Sequence, residues 1–213
     1  MNNLILLGLI LVNVLISIKG FNDADFFRKY QFHVGSIRAG EQFRMFTSAF
    51  LHADVIHLAF NMIALYSFAP VVSEEFGNFS FLVIYGGSLI FGSLLTMMFH
   101  GNDYSYRAVG ASGAVTGIIY SAILLFPNMS ILIFGVLPMP AYIFGILYLL
   151  YSIYGMKAQN DNIGHTAHFG GAVGGYVITL LKEPMLFQDN TLMVILLAIP
   201  IIILFIMAKV GKL

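Results

Sequence analysis

Seven apolar runs, each long enough to cross a lipid bilayer, dominate this chain of 213 residues. A helix needs about 20 mainly apolar residues to cross roughly 30 Å of hydrocarbon, and polar breaks separate the runs from one another. The runs lie near residues 3–18, 50–72, 80–99, 109–126, 137–155, 163–182 and 190–208. They predict an integral, multi-pass membrane protein with an all-α fold.

The composition agrees with a membrane protein and excludes several kinds of function. Hydrophobic residues make up 59% of the chain and charged residues only 9%, whereas a soluble domain carries roughly 25% charge. The formal net charge is zero, so the chain lacks the basic field that binds nucleic acid, and no nucleic-acid partner is expected. Cysteine is absent, which excludes disulfides, thiolate metal sites and a cysteine nucleophile.

Two connections between the predicted spans have unusual sequences. Residues 19–48 form the longest polar stretch, and its aromatic content predicts a segment lying in the membrane interface. Its aromatic residues are Phe21, Phe26, Phe27, Tyr30, Phe32, Phe43 and Phe46. The sequence Leu137-Pro138-Met139-Pro140 breaks the start of span five, so residues 131–136 are predicted to be interfacial or irregular rather than helical.

Polar clusters stand at the entering ends of spans two, four and six. Alternate spans enter the membrane from the same side, so all three clusters lie on one face of the bundle. Polar residues within a span are costly, and they mark a functional site by default. The clusters contain His52, Asp54, His57 and Asn61 in span two, Gly110, Ala111, Ser112 and Gly113 in span four, and His165, His168, Gly170, Gly171, Gly174 and Gly175 in span six.

The residue types in these clusters suit acyl transfer. A serine hydroxyl is a weak nucleophile until an adjacent base accepts its proton, and His168 is a suitable base for Ser112. His57 and Asn61 are four residues apart and share a helix face. Together with the backbone N–H of Ser112, they would supply hydrogen-bond donors to an oxyanion.

Other interpretations of the same residues remain open at this point. Imidazole and carboxylate groups suit zinc, nickel or iron, so a metal-dependent membrane enzyme or transporter is an alternative, although no His-Glu-x-x-His motif occurs. Small residues around Ser112, and the pair Gly171 and Gly175, also fit plain packing between helices.

Taken in order along the spans, these motifs resemble those of the rhomboid intramembrane serine proteases. The match covers nearly the whole six-helix core, predicted as residues 1–182 with residues 19–48 as a membrane-associated first loop, and residues 183–213 would add a seventh transmembrane helix. The motifs are Gly40-Glu41-Gln42-Phe43-Arg44 with Thr47, His52 with His57-x-x-x-Asn61, Gly110-Ala111-Ser112-Gly113, and Ala167-His168-x-x-Gly171-x-x-x-Gly175.

The resemblance implies a Ser112–His168 dyad with no acidic third member and no metal or other cofactor. It implies an oxyanion site formed by His57, Asn61 and the Ser112 amide. It also implies a gate at span five and cleavage of single-span membrane proteins near the lipid surface. Supporting roles would fall to His52, Gly110, Gly113, Gly171, Gly175 and Arg44.

The expected location is the plasma membrane of a prokaryote, with the site on the non-cytoplasmic side as is usual in the family. The basic residues favour the opposite orientation. If the N-terminus lay in the cytoplasm, every lysine and arginine except Lys182 would lie outside, against the positive-inside rule.

Two residues depart from the usual rhomboid pattern. Rhomboids usually carry an aromatic residue four positions after the serine, where it packs on the catalytic imidazole, and here that position is Thr116. The first loop carries Phe43 where tryptophan is more usual. The departure at Thr116 keeps open a second alternative, a catalytically inactive member of the same fold that binds membrane clients.

Overall fold

A computed structural model describes residues 4–133, 135–159 and 163–213. A 3-10 turn at Ser48–Phe50 and two short antiparallel pairs accompany the helices; the pairs are β1 (Phe32–His33) with β2 (Arg107–Ala108), and β3 (Ser130–Ile133) with β4 (Leu137–Pro140). The helices are α1 (Leu4–Asn22), α2 (Ala24–Tyr30), α3 (Val34–Arg38), α4 (Arg44–Thr47), α5 (Val55–His100), α6 (Ser112–Leu125), α7 (Ala141–Ala158), α8 (His165–Lys182), α9 (Leu186–Asp189) and α10 (Thr191–Lys209).

Helix α5 contains both the second and the third membrane pass. A straight helix of its 46 residues would be about 69 Å long, more than twice the thickness of the hydrocarbon. Gly77 interrupts it with φ 78° and ψ 164°, and glycine reaches positive φ at little cost. Val72 and Phe81, on either side of the break, pack in the same apolar cluster. The chain therefore turns back at Gly77, with passes at 55–76 and 78–100.

The helix positions agree with the predicted runs. Within the described residues, α1, α5, α7 and α10 are each long and apolar enough to cross a membrane. Helices α6 and α8 do not belong to this set. Helix α6 is shorter, with 14 residues, and α8 is less hydrophobic because it contains several glycine and histidine residues. The all-α prediction is confirmed, and the protein is an integral, multi-pass membrane protein.

Glycines bring α5, α6 and α8 into backbone contact at the centre of the bundle. A Cβ added at Gly171 would lie 1.8 Å from the carbonyl oxygen of Gly113, and one at Gly175 would lie 2.0 Å from that of Gly117. A Cβ at Gly170 would lie 2.8 Å from the Cα of Gly92 in α5. Such close approach is typical of small residues between membrane helices. It sets the first turns of α6 and α8 side by side.

The remaining long helices surround this centre and expose apolar side chains. Leu15 of α1, Leu150 of α7 and Ile202 of α10 are all exposed, as expected for surfaces that face lipid. Helix α10 packs against α7, where Leu149 and Leu197 share an apolar cluster. The division into residues 1–182 and 183–213 stays a prediction.

The first loop folds into short helices that Arg44 connects through hydrogen bonds. The buried guanidinium of Arg44 donates to the carbonyl oxygens of Arg28, at 2.7 Å, and Gln31, at 3.2 Å, and to the Glu41 carboxylate at 2.5 Å. Strand β1 pairs Phe32 with Ala108 of β2. The loop is therefore anchored four residues before Ser112.

The N-terminus of α2 is held by Asp23. Its carboxylate accepts hydrogen bonds from the Lys19 ammonium at 2.8 Å and from the Phe26 amide at 2.9 Å. The Lys19 bond, followed by the Phe26 amide, lowers the pKa of the Asp23 carboxyl. An ionised side chain at this position satisfies an amide that has no partner within the helix.

The segment before α7 is not helical, as its prolines predict. Strands β3 and β4 pair Ser130 with Pro140 and Ile131 with Met139. Helix α7 then begins at Ala141, directly after Pro140. Phe134, within the segment predicted to be irregular, lies outside the described residues.

Candidate active site

Ser112 is the first residue of α6. The amide at this position has no partner within the helix, and it lies at the positive end of the helix dipole. Gly110 precedes it with φ 124°, a left-handed conformation that favours glycine. The Gly110 amide donates to the carbonyl oxygen of Ser48 at 3.0 Å. The turn before Ser112 is thus fixed from the first-loop side.

His52 fixes the same turn from the side of α1. Its Nδ1 lies 2.8 Å from the Ser17 hydroxyl, which donates its own hydrogen to the carbonyl oxygen of Phe50 at 3.0 Å. The Ser17 oxygen therefore accepts from Nδ1–H, which leaves Nε2 to accept from the Ala111 amide at 3.4 Å. Both nitrogens of this fully buried imidazole are used in hydrogen bonds, so His52 supports the backbone next to Ser112.

His57 directs its Nε2 toward the same turn. Asp54 caps α5 by accepting from the His57 amide at 2.7 Å, and the His57 Nδ1 accepts from the Ala53 amide at 3.4 Å. The proton then resides on Nε2, which would lie 2.8 Å from a Cβ built on Gly110. The Ser112 Oγ would lie 3.6 Å from the same Cβ. A side chain at Gly110 would fill the space between the imidazole and the hydroxyl.

Asn61 lies one turn further along α5 and is buried. Its Nδ2 donates to the His57 carbonyl oxygen at 2.9 Å, which leaves a second N–H on the same nitrogen. Its neighbours Leu58 and Met62 pack in one cluster with Ala114 of α6. Asn61 therefore belongs to the face of α5 that meets the N-terminal half of α6.

His168 lies in the first turn of α8, beside the first turn of α6. A Cβ on Gly113 would lie 3.0 Å from the carbonyl oxygen of Ala167 and 3.7 Å from its Cβ. Ser112 and His168 are thus each one residue away from this contact between the two helices.

A small cavity of about 50 Å³ lies beside Ser112 and is large enough for a water molecule. Its lining includes Gly110, Ser112, Gly113, Gly164 and Ala167.

Two predicted site residues lie away from Ser112. Arg44 binds the backbone of the first loop, as described above, and Gly175 packs against Gly117 of α6. Their contacts shape the scaffold rather than the reacting centre.

A metal site receives no support from the geometry. In residues 4–133, 135–159 and 163–213, no three side chains of the ligating types His, Cys, Asp and Glu gather closely enough to hold a metal ion.

Sequence comparison assigns the family. A family model described as the Rhomboid domain matches residues 39–184, more than half of the chain. The chain belongs to the rhomboid family. The resemblance drawn from the motifs is thereby confirmed.

Rhomboid relatives occur in bacteria and in eukaryotic organelles. The chain is 35% identical over 155 residues to the putative rhomboid protease YdcA of Bacillus subtilis, which covers 67% of this chain and 68% of YdcA. It is 32% identical over 144 residues to the rhomboid protease GluP of the same species, covering 66% of this chain and 26% of GluP.

A plant relative aligns over a longer part of the chain. The chain is 29% identical over 185 residues to the mitochondrial RHOMBOID-like protein 12 of Arabidopsis thaliana, covering 79% of this chain and 55% of that protein. The chain thus spans about half the length of the plant protein and about a quarter of GluP.

Tyr148 of α7 brings an aromatic side chain to His168 from another helix, whereas position 116 of α6 is a threonine. Its ring plane lies within 23° of the plane of the His168 imidazole, with centroids 6.0 Å apart, and its hydroxyl lies 2.9 Å from the His168 Nδ1. Sequence reasoning missed Tyr148 because its partner lies on another helix. It also missed Ser17, although a serine within the first span was itself a signal of a buried hydrogen bond.

Proposed function

We propose that this rhomboid is an intramembrane serine endopeptidase that cleaves single-span membrane proteins within or beside the bilayer. The observation that carries the proposal is the convergence on one turn of a serine at a helix N-terminus and the Nε2 of His57. The close contact of Gly113 with Ala167 supports a direct partnership between Ser112 and His168.

The reaction proceeds through an acyl-enzyme. The Ser112 Oγ attacks the scissile carbonyl carbon while its proton passes to the His168 Nε2. The carbonyl oxygen becomes an oxyanion, which accepts hydrogen bonds from the Ser112 amide, the His57 Nε2–H and the free N–H of Asn61. The C–N bond then breaks, and the leaving amine takes the proton from His168. Water, activated by the same imidazole, hydrolyses the ester and regenerates Ser112.

The substrates and the location follow from the same proposal. A site at the entering ends of α6 and α8 reaches peptide bonds near the membrane surface, and lipid surrounds the exposed faces of α1, α7 and α10. We place the chain in the plasma membrane of a prokaryote, with the two Bacillus relatives as support, while the plant relative is mitochondrial.

A turnover assay separates this function from its alternatives. The wild-type protein, reconstituted in lipid vesicles, is expected to cleave a single-span reporter at the same rate with and without a metal chelator. A rate abolished by chelation would favour a metal-dependent enzyme. Reporter binding without cleavage would favour an inactive client-binding rhomboid.

Removal of the Asn61 amide is expected to slow catalysis without weakening binding. Loss of one oxyanion donor typically lowers kcat by roughly 10²- to 10³-fold, so Asn61→Ala should lower kcat by this order and change KM little. Initial rates across a range of reporter densities in the vesicles measure both constants.

Asn13→Ala is the matched control for this variant. Asn13 is also buried and donates to a carbonyl oxygen four residues earlier, that of Leu9, at 2.9 Å, but it lies on α1. The control should keep the wild-type kcat. A change in KM alone for Asn61→Ala would contradict the oxyanion role.

A further inference from the structure

Two hydroxyl groups and one imidazole form a chain of hydrogen bonds that joins α6, α7 and α8. They belong to Thr116, Tyr148 and His168. The Tyr148 hydroxyl lies 2.9 Å from the His168 Nδ1 and 3.4 Å from the Thr116 Oγ1. The Thr116 hydroxyl in turn donates to the carbonyl oxygen of Ser112 at 2.7 Å. The chain therefore begins at the proposed base and ends on the backbone of the proposed nucleophile.

Taken together as three hydrogen bonds, these contacts can run in only one direction. The Thr116 hydrogen points to the Ser112 carbonyl, so the Thr116 oxygen is left to accept from the Tyr148 hydroxyl. The Tyr148 oxygen, whose own hydrogen is used, then accepts from His168. An imidazole that donates from Nδ1 carries its proton there and leaves Nε2 as an acceptor.

We propose that Tyr148, supported by Thr116, is the positioning residue that holds His168 in the tautomer able to accept the Ser112 proton. The inference rests on the proposed protease function and adds the means by which a dyad without a carboxylate orients its base. The Tyr148 hydroxyl, 2.9 Å from the His168 Nδ1, restricts rotation of the imidazole and selects its tautomer.

Other tyrosines of α7 make different contacts. Tyr151 meets His165 edge-on, with ring centroids 5.2 Å apart, and Tyr154 is 60% exposed. Tyr148 directs its hydroxyl at the His168 Nδ1 instead.

The arrangement links the base to the position of α7. Tyr148 belongs to α7 and His168 to α8, so the hydrogen bond exists only while the two helices keep their separation. The Tyr120 hydroxyl of α6 donates to the Gly145 carbonyl oxygen and holds α7 against α6 one turn away. A displacement of α7 would break the hydrogen bond between Tyr148 and His168. The imidazole would then populate both of its tautomers.

Kinetic variants separate the hydroxyl from the ring. Tyr148→Phe keeps the ring and removes the hydroxyl, and it is expected to lower kcat by roughly 10- to 100-fold, as for a hydrogen bond to a charged group, with KM little changed. Tyr148→Leu, which also removes the ring beside His168, should be slower still. Tyr154→Phe removes an exposed hydroxyl from the same helix and should behave as wild type.

The contribution of Thr116 is tested in combination with Tyr148. Thr116→Val should lower kcat less than Tyr148→Phe does, and Thr116→Ser, which retains the hydroxyl, should restore most of the rate. The double variant with Tyr148→Phe should be no slower than Tyr148→Phe alone, because both changes break the same chain. Full additivity would overturn the role of Thr116.

A spectroscopic measurement decides the proposal independently of turnover. The protein is labelled with ¹⁵N in its histidine rings, and the His168 signal is assigned by its loss in His168→Asn. The NMR spectrum should show the proton on Nδ1 of His168 in the wild type. It should show a mixture of the two tautomers in Tyr148→Phe. An unchanged tautomer together with an unchanged kcat would overturn the proposal. A wild type that cleaves no reporter would defeat the protease function, while the NMR result would still decide the role of Tyr148.

Discussion

Alanine in place of Ser112 is expected to lower the rate of reporter cleavage by on the order of 10⁴-fold or more. The Ser112 oxygen would form the acyl bond, and the chain has no cysteine to replace it. Folding should be retained, because alanine is a good helix former and Thr116 bonds to the backbone carbonyl of residue 112 rather than to its side chain. Initial cleavage rates in vesicles measure the effect.

Ser121→Ala provides a control within the same helix. Ser121 is buried in α6 and accepts from the Thr179 hydroxyl at 2.7 Å, but it lies more than two turns from the N-terminus of the helix. Its loss should lower stability by about 1 kcal/mol and leave the rate of the folded protein unchanged. Equal rates for Ser112→Ala and the wild type would rule out Ser112 as the nucleophile.

Alanine at Gly171 is expected to disable the enzyme by separating α6 from α8. The added Cβ would lie 1.8 Å from the Gly113 carbonyl oxygen and 2.6 Å from its carbon, and backbone atoms of a packed helix cannot rotate away. Helix α8 would have to shift by more than 1 Å, and a shift of that size in a reacting group can lower the rate by about 10²-fold. Overpacking should also lower the free energy of unfolding by about 1–3 kcal/mol.

Gly86→Ala tests whether the effect depends on packing rather than on glycine itself. A Cβ at Gly86 of α5 would meet nothing within 4 Å, so this variant should gain about 1 kcal/mol from helix propensity and keep its activity. Thermal unfolding in detergent and cleavage in vesicles are measured for both variants. A fully active and equally stable Gly171→Ala protein would contradict the close contact of α6 with α8.

Much of the fold was predictable because the membrane restricts length and polarity. Each apolar run had to be a helix of about 20 residues, so the spans were placed to within a few residues. The small residues at Gly113 and Gly171 predicted a close contact between two spans. The same residues would also fit plain helix packing without a functional site. Alternate entry of the spans then placed Ser112 and His168 on one face of the bundle.

The partners of the site residues could not be predicted in the same way. Helix α7 carries tyrosine at positions 142, 148, 151 and 154, and its uniformly apolar sequence does not indicate which of them faces α8. Ser17 lies 35 residues before His52, a contact that depends on how α1 packs against α5. Both contacts depend on helix rotation, which apolar runs do not determine. The catalytic roles of Ser112, His168, His57 and Asn61 stay predictions until they are measured.

The covalent reaction of Ser112 is the most direct measurement of the proposed chemistry. Protein in lipid vesicles is treated with a fluorophosphonate, digested and examined by mass spectrometry. The phosphonate should be found on the peptide that contains Ser112, should be absent from Ser112→Ala, and should form far more slowly in His168→Ala because the base is missing. Equal labelling of the wild type and Ser112→Ala, or an adduct on another residue alone, would contradict a serine protease built on Ser112 and His168.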